Sequence, residues 1–349
     1  MLVACLLWPT AAGAWKTTIE AAPREGEDSV SDLVVTASGN IVVAGALAVS
    51  GGAAYIAEFD SLTGNVVWQK QIPNETGARY NGVLDLELAS DGDLVIAGAL
   101  GAFPVRKLSP IGSERWSAPI PVNIVDAGGG ITLDAAGAVI VHGVDSHGAR
   151  YPIFDGFVAK LDGATGAIIW SHLAQEIGTS GPKAVAIAPN GDVVVAGAIH
   201  DETVSCPSFS VQKRSGLNGS ELWRRVIPGP VACGGEASLV AIDAAGDVIA
   251  AGFVSNAYTD LFVLKVSGTD GSEIWRYHVP QGATGDAGGA LGLALNADGD
   301  AVVSGRVRFS PSIGRSLVVV RLRGSDGSAV VASASRHRSD SRQRANLRR

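Results

Sequence analysis

Acidic and amide side chains recur near the start of one strand in a repeated unit, and their chemistry is that of metal ligands. One column of the repeat contains Asp28, Asn81 and Asp126, and a second contains Asp32 and Asp85. Carboxylate and amide oxygens suit a hard cation such as calcium. The same residue types are also common in strand-capping turns. We therefore expect either a solvated, turn-capped channel mouth or a cation site there.

Other motifs that carry chemistry are weak. His142 and His147 flank Asp145, but no further ligand follows at a useful spacing, so we predict surface histidines. The Asp-Gly-Asp runs at 91–93 and 298–300 lack the distal glutamate of a calcium loop and predict turns instead. We predict no catalytic residue and no bound cofactor, with calcium or a quinone as the alternative.

The N-terminus resembles a secretory leader. Residues 1–14 combine an apolar run with Ala12-Gly13-Ala14, the small-residue pattern that signal peptidase cuts. We predict a cleaved leader, a mature chain from Trp15, and a secreted or periplasmic location. A lipid anchor on Cys5 is the alternative. No other segment approaches the ~20 apolar residues of a transmembrane helix.

The charge is distributed unevenly along the 349 residues. The net charge is −7, yet residues 336–349 contain six arginines and one aspartate, a net charge of +5 that leaves −12 for the remainder. An acidic body argues against a nucleic-acid surface. We predict a domain at 15–331 followed by a disordered arginine-rich tail at 332–349.

A turn followed by a strand occurs six times, which predicts an all-β repeat fold. The segments place a glycine beside small or polar residues, as in SGNIVVAG (38–45) and PNGDVVVAG (189–197). Because glycine adopts positive φ without strain, we predict that each segment is a two-residue hairpin turn. Alternating apolar residues before each turn predict a strand with one buried face. The six turn glycines are Gly39, Gly92, Gly137, Gly191, Gly246 and Gly299.

A second signature, a glycine four residues before a tryptophan, follows each hairpin. It is clear in TGAIIW (165–170) and DGSEIW (270–275), and it gives each repeat four strands, A to D. A charged residue stands six positions before the glycine, for example Lys213 and Arg106. We expect the tryptophans to form contacts between neighbouring blades.

The last repeat has Val331 where the tryptophan belongs, and Trp15 begins an orphan strand at the other end of the chain. We predict a β-propeller of six four-stranded blades, closed by pairing of the N-terminal strand with the C-terminal blade. Such pairing removes an exposed sheet edge. Alternatively, 328–333 supplies the last strand itself and seven blades become possible.

The segments DGFVAKLDGATGAIIW (155–170) and GDVVVAG (191–197) resemble bacterial β-propeller repeats of the pyrroloquinoline-quinone (PQQ) enzyme-like group. The resemblance covers about residues 15–331. It implies a propeller fold, and either a quinone-dependent dehydrogenase or a non-catalytic scaffold such as an envelope assembly factor. The quinone enzymes carry a disulfide between adjacent cysteines, which this sequence lacks, so no cofactor residue is transferred.

The lengths of the loops predict which face of the propeller binds a partner. The A-B and C-D turns are short, whereas the B-C and D-A loops, such as 73–82 and 281–289, are long. Long loops concentrate binding residues. We predict a non-catalytic binding or scaffold protein that contacts a protein or polymer of the envelope or exterior through this long-loop face. A quinone-dependent or metal-assisted oxidoreductase with a site on the central channel is the alternative. The candidate binding residues are Asp28, Asp32, Tyr80, Asn81, Asp85, Asp126 and Asp286.

Two cysteines outside the leader fall in loops of the same face. Cys206 lies in a B-C loop and Cys233 in the loop that leads into the next repeat. Paired cysteines in an exported protein favour a disulfide over a metal site. We predict a Cys206–Cys233 disulfide, with two unpaired thiols as the alternative.

Overall fold

The structure is a computed structural model, and it describes most of the repeated region. The described residues are 15–19, 28–47, 52–73, 82–100, 105–118, 120, 129–147, 153–174, 181–200, 207–228, 234–255, 259–279, 288–307 and 316–335. Within these ranges the chain forms strands and turns, with no helix.

The first twelve strands are β1 (Ser29–Val35), β2 (Ile41–Leu47), β3 (Ala53–Phe59), β4 (Val66–Pro73), β5 (Gly82–Leu88), β6 (Leu94–Ala99), β7 (Val105–Leu108), β8 (Glu114–Ala118), β9 (Gly130–Leu133), β10 (Val139–His147), β11 (Ile153–Leu161) and β12 (Ile168–Ala174). The remaining twelve are β13 (Gly181–Ile187), β14 (Val193–His200), β15 (Pro207–Arg214), β16 (Glu221–Ile227), β17 (Gly235–Ile242), β18 (Val248–Ser255), β19 (Thr259–Val266), β20 (Glu273–Val279), β21 (Gly289–Leu295), β22 (Ala301–Val307), β23 (Ser316–Leu322) and β24 (Ala329–Ser335).

Each successive group of four strands forms one antiparallel sheet in sequential order, from β1-β2-β3-β4 to β21-β22-β23-β24. These six sheets are the blades of a β-propeller, numbered 1 to 6 along the chain. The predicted all-β class, the four-stranded repeat and the count of six are therefore confirmed.

The A-B turn differs in detail from its prediction. Gly39 has a φ of +85°, as expected, and its N–H donates to the carbonyl of Thr36 at 2.9 Å. The N–H of Thr36 donates to the carbonyl of Asn40 at 2.9 Å, which closes a three-residue loop. The predicted two-residue hairpin was wrong. A type I turn followed by a left-handed glycine gives the same strand reversal, and the same bonds recur at Gly92, Gly137, Gly191, Gly246 and Gly299.

The C-D turn places a glycine under an indole ring. Gly112 has a φ of +77°, and a Cβ added there would lie 2.8 Å from Cε3 of Trp68 in the preceding blade. Both the backbone conformation and the indole therefore exclude a side chain. The predicted blade-to-blade role of the tryptophans is confirmed by the pairs Trp68–Gly112, Trp116–Gly166, Trp170–Gly219, Trp223–Gly271 and Trp275–Gly327. Trp15, in the N-terminal segment, makes the same contact with Gly64.

The chain divides into two compact units. Unit 1 comprises Met1–Val139 with Asp162–Ala167, and unit 2 comprises Ile140–Leu161 with Ile168–Arg349. The core of unit 1 lies between blades 1 and 2, where Ile56 packs with Ile96. In unit 2, cores lie between successive blades from 3 to 6.

The last blade is completed by its own fourth strand. β24 pairs with β23, and Val331 lies opposite Arg321, the register position of the tryptophan in the other blades. The described residues Trp15–Ile19 form no strand, so the predicted pairing of the N-terminal strand stays a prediction. β24 ends at Ser335, beyond the domain boundary expected at 331, and 336–349 lies outside the described residues.

Candidate functional site

The structure describes three of the predicted binding residues. Asp28 precedes β1 and is exposed, whereas Asp32 lies on β1 and Asp85 on β5. Tyr80, Asn81, Asp126 and Asp286, together with Cys206 and Cys233, lie outside the described residues. The binding role of this set and the disulfide therefore stay predictions.

Asp32 and Asp85 link the innermost strands of successive blades in unit 1. Asp32 Oδ2 accepts the N–H of Leu86 at 3.0 Å, and its Oδ1 accepts the N–H of Leu33 at 2.7 Å. Asp85 repeats the arrangement: Oδ2 accepts the N–H of Ile131 at 2.7 Å, and Oδ1 accepts that of Leu86 at 2.9 Å. Each carboxylate thus satisfies an N–H of the next blade's innermost strand.

The environment of this pair favours a protonated carboxyl. Burial raises the pKa of Asp85 to about 6, and the neighbouring Asp32 acts in the same direction, against the lowering effect of the two N–H donors. Burial also raises the pKa of Glu87, and the charges of Asp85 and Asp32 add to that effect. Desolvation and like charge are the general causes of such shifts.

A repeated junction joins blades through a single backbone carbonyl. Lys213 Nζ and Trp223 Nε1 both donate to the carbonyl oxygen of Gly268, at 2.9 and 3.3 Å. Lys213 also lies 3.2 Å from Asp192 Oδ2 in the A-B turn of its own blade. The same lysine and tryptophan arrangement recurs as Lys107 with Trp116 on Gly163, Lys160 with Trp170 on Gly216, and Lys265 with Trp275 on Gly324.

In blade 2 this role falls to Lys107 and not to Arg106. The C-D turn of blade 2 is one residue shorter, so Lys107 pairs with Trp116 in the register that Lys213 has with Trp223. Arg106 is the residue six positions before the turn glycine Gly112, but it does not occupy this register position. Arg106 instead forms an ion pair with Glu114 at 2.8 Å.

His142 is buried, contrary to the prediction of a surface histidine. Its side chain is 5% exposed, and burial lowers its pKa to about 4. The carbonyl of Pro182 accepts its N–H and opposes that lowering, while the charge of Lys183 adds to it. Nδ1 has no hydrogen-bond partner among the described residues. Four of the other five blades place a buried alanine before the same strand glycine, so the alignment of the repeats contained a signal for this burial.

Comparison with known proteins shows the family of the chain. The family model described as outer membrane protein assembly factor BamB, a PQQ-type repeat family, matches residues 52–232 and 105–334. The chain belongs to this PQQ-like propeller family. No curated protein sequence matches the chain.

Several solved structures are similar to the chain at low sequence identity. BamB from Moraxella catarrhalis is 13% identical with a TM-score of 0.44, and 88% of each chain is covered. A protein of unknown function from Bacteroides caccae is 12% identical with a TM-score of 0.41, covering 80% of this chain and 90% of that one. A quinohemoprotein alcohol dehydrogenase from Pseudomonas putida HK5 is 16% identical with a TM-score of 0.43. Its match covers 70% of this chain and 40% of the dehydrogenase.

Backbone N–H donors face the carboxylates that the sequence offered as possible ligands of a hard cation. The oxygens of Asp32 and Asp85 face the positive ends of backbone N–H groups, and the raised pKa of Asp85 favours a proton on that carboxyl. Within the described ranges, no group of three His, Cys, Asp or Glu side chains is arranged to hold a metal ion.

The described part of the chain also contains no helix with the length and hydropathy of a membrane span.

Proposed function

We propose that this protein is an exported, non-catalytic binding or scaffold protein that contacts a protein or polymer of the bacterial envelope or exterior through its long-loop face. The observation that carries the proposal is the junction between blades, where Lys213 and Trp223 share the carbonyl of Gly268. Its recurrence indicates that the regular lysine positions form contacts between neighbouring blades. The long loops are then the variable surface.

Membership of a family described as an outer membrane assembly factor supports an envelope location and a scaffold role. The leader predicted at 1–14 supports export, and a lipid anchor on Cys5 is the alternative form of attachment. Fusing 1–14 to a reporter enzyme that is active only outside the cytoplasm tests export. Labelling of the natural protein and of Cys5→Ser with a radioactive fatty acid distinguishes a cleaved leader from a lipid anchor on Cys5.

Site-specific crosslinking tests which face binds. A photoreactive amino acid is placed at Tyr80 on the long-loop face, or at Leu217, which is 88% exposed in a C-D turn. The proposal expects one discrete crosslinked partner from Tyr80 and none from Leu217. Asp28→Ala with Asp126→Ala should reduce that product without changing the unfolding temperature. An undiminished product would overturn the proposal.

The quinone-dependent or metal-assisted oxidoreductase is separated from this function by a binding measurement. Purified mature protein is incubated with the quinone and calcium, and absorbance and unfolding temperature are recorded. A binding or scaffold protein without a cofactor gives neither a cofactor band nor a large thermal shift. Both signals together would favour the enzyme.

A further inference from the structure

Blade 1 has an acidic residue at a C-strand position where the other five blades have a basic one. This C-strand position pairs with the D-strand tryptophan, or with Val331 in blade 6. It is cationic in blades 2 to 6, where it is Lys107, Lys160, Lys213, Lys265 or Arg321. In blade 1 the position is occupied by Glu58, opposite Trp68. Blades 2 to 6 can therefore be compared directly with blade 1 at this position.

The cation faces an aspartate in most of the other blades. Lys213 lies 3.2 Å from Asp192, and Arg321 lies 2.8 Å from Asp300. The aspartate follows the A-B turn glycine directly, and its charge cancels that of the cation. The same pairing is found for Lys107 with Asp93 and Lys265 with Asp247.

Blade 1 has no such cancellation. Asn40 stands where the aspartate belongs, and its Nδ2 donates to Glu58 Oε1 at 2.8 Å. The indole N–H of Trp68 donates to Oε2 at 2.6 Å. Both donors are neutral. Among the residues that the structure describes, no Lys, Arg or His lies within ion-pair distance of Glu58.

The Glu58 carboxylate is therefore buried, at 8% exposure, without a counterion. Removing a charge from water without a partner of opposite sign is unfavourable. A carboxylate offers about four lone-pair sites, and the two hydrogen bonds use only part of them. A cation that reached this carboxylate would gain both a counterion interaction and a hydrogen-bond acceptor.

A cleft gives access to it. Glu58 lines an open cleft of about 630 Å³ on the short-turn side of blades 1 and 2. Its walls include Val35, which is 58% exposed, and Pro110, with the hydroxyl groups of Ser38 and Ser90. This volume lies within the usual range for small-ligand sites. The other lining carboxylate, Asp91, is already paired with Lys107 at 2.8 Å.

We propose that this cleft binds an alkyl cation, an ammonium or guanidinium group on an apolar stem, with Glu58 as its counterion. The apolar walls suit the stem, as apolar surfaces do for lysine and arginine side chains. The group is carried by a peptide side chain or by a free diamine. This site lies at the A-B and C-D turn ends of blades 1 and 2 and is independent of the proposed scaffold function.

Ligand-observed NMR titrations of the full chain test the proposal. The probes are Nα-acetyl-lysine N-methylamide, the matching arginine compound and 1,5-diaminopentane, and the neutral control is the norleucine compound. We expect the cationic probes to bind at least about tenfold more tightly than the norleucine compound. Preference for the amino-acid probes over the diamine identifies a peptide side chain as the source, and the reverse identifies a free amine.

Variants keep the test independent of folding. Glu58→Gln should weaken binding by about tenfold or more, since it keeps the shape but removes the charge. The double variant Asn40→Asp, Glu58→Lys recreates the pairing of the other blades, so it should fold normally and lose binding. Asp91→Asn, at the neutralised carboxylate, should leave the affinity within about threefold. Unchanged affinity in Glu58→Gln, or equal binding of the norleucine compound, would overturn the proposal.

Discussion

Trp15 covers Gly64. The ring lies so close that a Cβ added to Gly64 would be 2.5 Å from its Cε3, and the indole N–H donates to the carbonyl of Ser61 at 2.8 Å. Trp68 lies over Gly112 in the same way. The N-terminal segment thus gives blade 1 the tryptophan contact that every later blade receives from the blade before it.

Trp15→Ala should therefore destabilise blade 1 specifically. The ring stacks on Phe59, with centroids 6.5 Å apart, and covers a core that includes Leu47 and Tyr55. Because Trp15 is only partly buried, we expect a loss of about 2 kcal/mol, below the 3–5 kcal/mol typical of a fully buried tryptophan. Urea unfolding measures the loss, and hydrogen exchange should locate it in β3 and β4. Lys16→Ala, an exposed neighbour, should change stability by less than about 0.5 kcal/mol. Equal effects of the two variants would contradict this account.

Lys213→Met should show that the junction lysines stabilise the fold far more than exposed charges do. The side chain is 10% exposed; it donates to the Gly268 carbonyl and forms an ion pair with Asp192. Its removal leaves a buried carbonyl with one donor fewer and a carboxylate with no cation. We expect a loss of about 2–3 kcal/mol in urea unfolding.

The control for that variant is Arg276→Met in blade 5. Arg276 forms an exposed ion pair with Glu273, and such pairs contribute less than about 1 kcal/mol. A loss in Lys213→Met no larger than that in Arg276→Met would show that the shared carbonyl is unimportant.

Asp85→Asn should stabilise the protein at neutral pH and leave it unchanged near pH 4. Because the folded pKa of Asp85, about 6, lies above its ordinary value of 3.8, its favourable contribution is complete below that value and is lost as pH rises through 6. The loss is at most about 3 kcal/mol. An asparagine mimics the protonated carboxyl, accepting the N–H of Ile131 while its amide faces Asp32. Urea unfolding at several pH values measures the difference, and Asp60→Asn, a surface aspartate whose pKa is lowered by Thr63, should give no gain at pH 7.

Much of the fold could be predicted because the same turn glycines and apolar patterns recur in the repeats. Glycines such as Gly39 and Gly112 are needed for positive φ, and this local requirement is visible in one sequence. The predicted loop length at Gly39 was wrong because glycine suits both the two-residue hairpin turn and the three-residue loop. In blade 2, counting six positions back from the turn glycine reaches Arg106 and not Lys107, because one residue is missing from the turn, and only the strand register shows this.

The candidate sites were harder to predict. Asp32 and Asp85 were recognised as acidic residues of inner strands, but their partners, Leu86 N–H and Ile131 N–H, lie in the next blade. Glu58 stands six positions before the turn glycine Gly64, at the spacing of the charged residues in the other repeats. Its change of sign was visible in the sequence, yet its missing counterion depends on Asn40, which only the folded turn brings beside it.

His142→Gln should remove an acid-sensitive contribution to stability. Burial lowers the pKa of His142 in the folded chain to about 4, below its ordinary 6.5. Between these two pH values the imidazole is protonated in the unfolded chain and neutral in the folded chain. Its contribution is complete above pH 6.5 and is lost as pH falls through 4, by at most about 3 kcal/mol. Glutamine does not titrate and can still donate to the Pro182 carbonyl.

The contributions of His142 and Asp85 have opposite signs over nearly the same pH range, so they should largely cancel in the natural protein. The unfolding free energy of Asp85→Asn should then rise steeply between pH 4 and 6.5, and that of His142→Gln should fall over that range. The double variant should return to the pH dependence of the natural protein. Parallel profiles for the two single variants would show that one of these groups titrates normally in the folded chain.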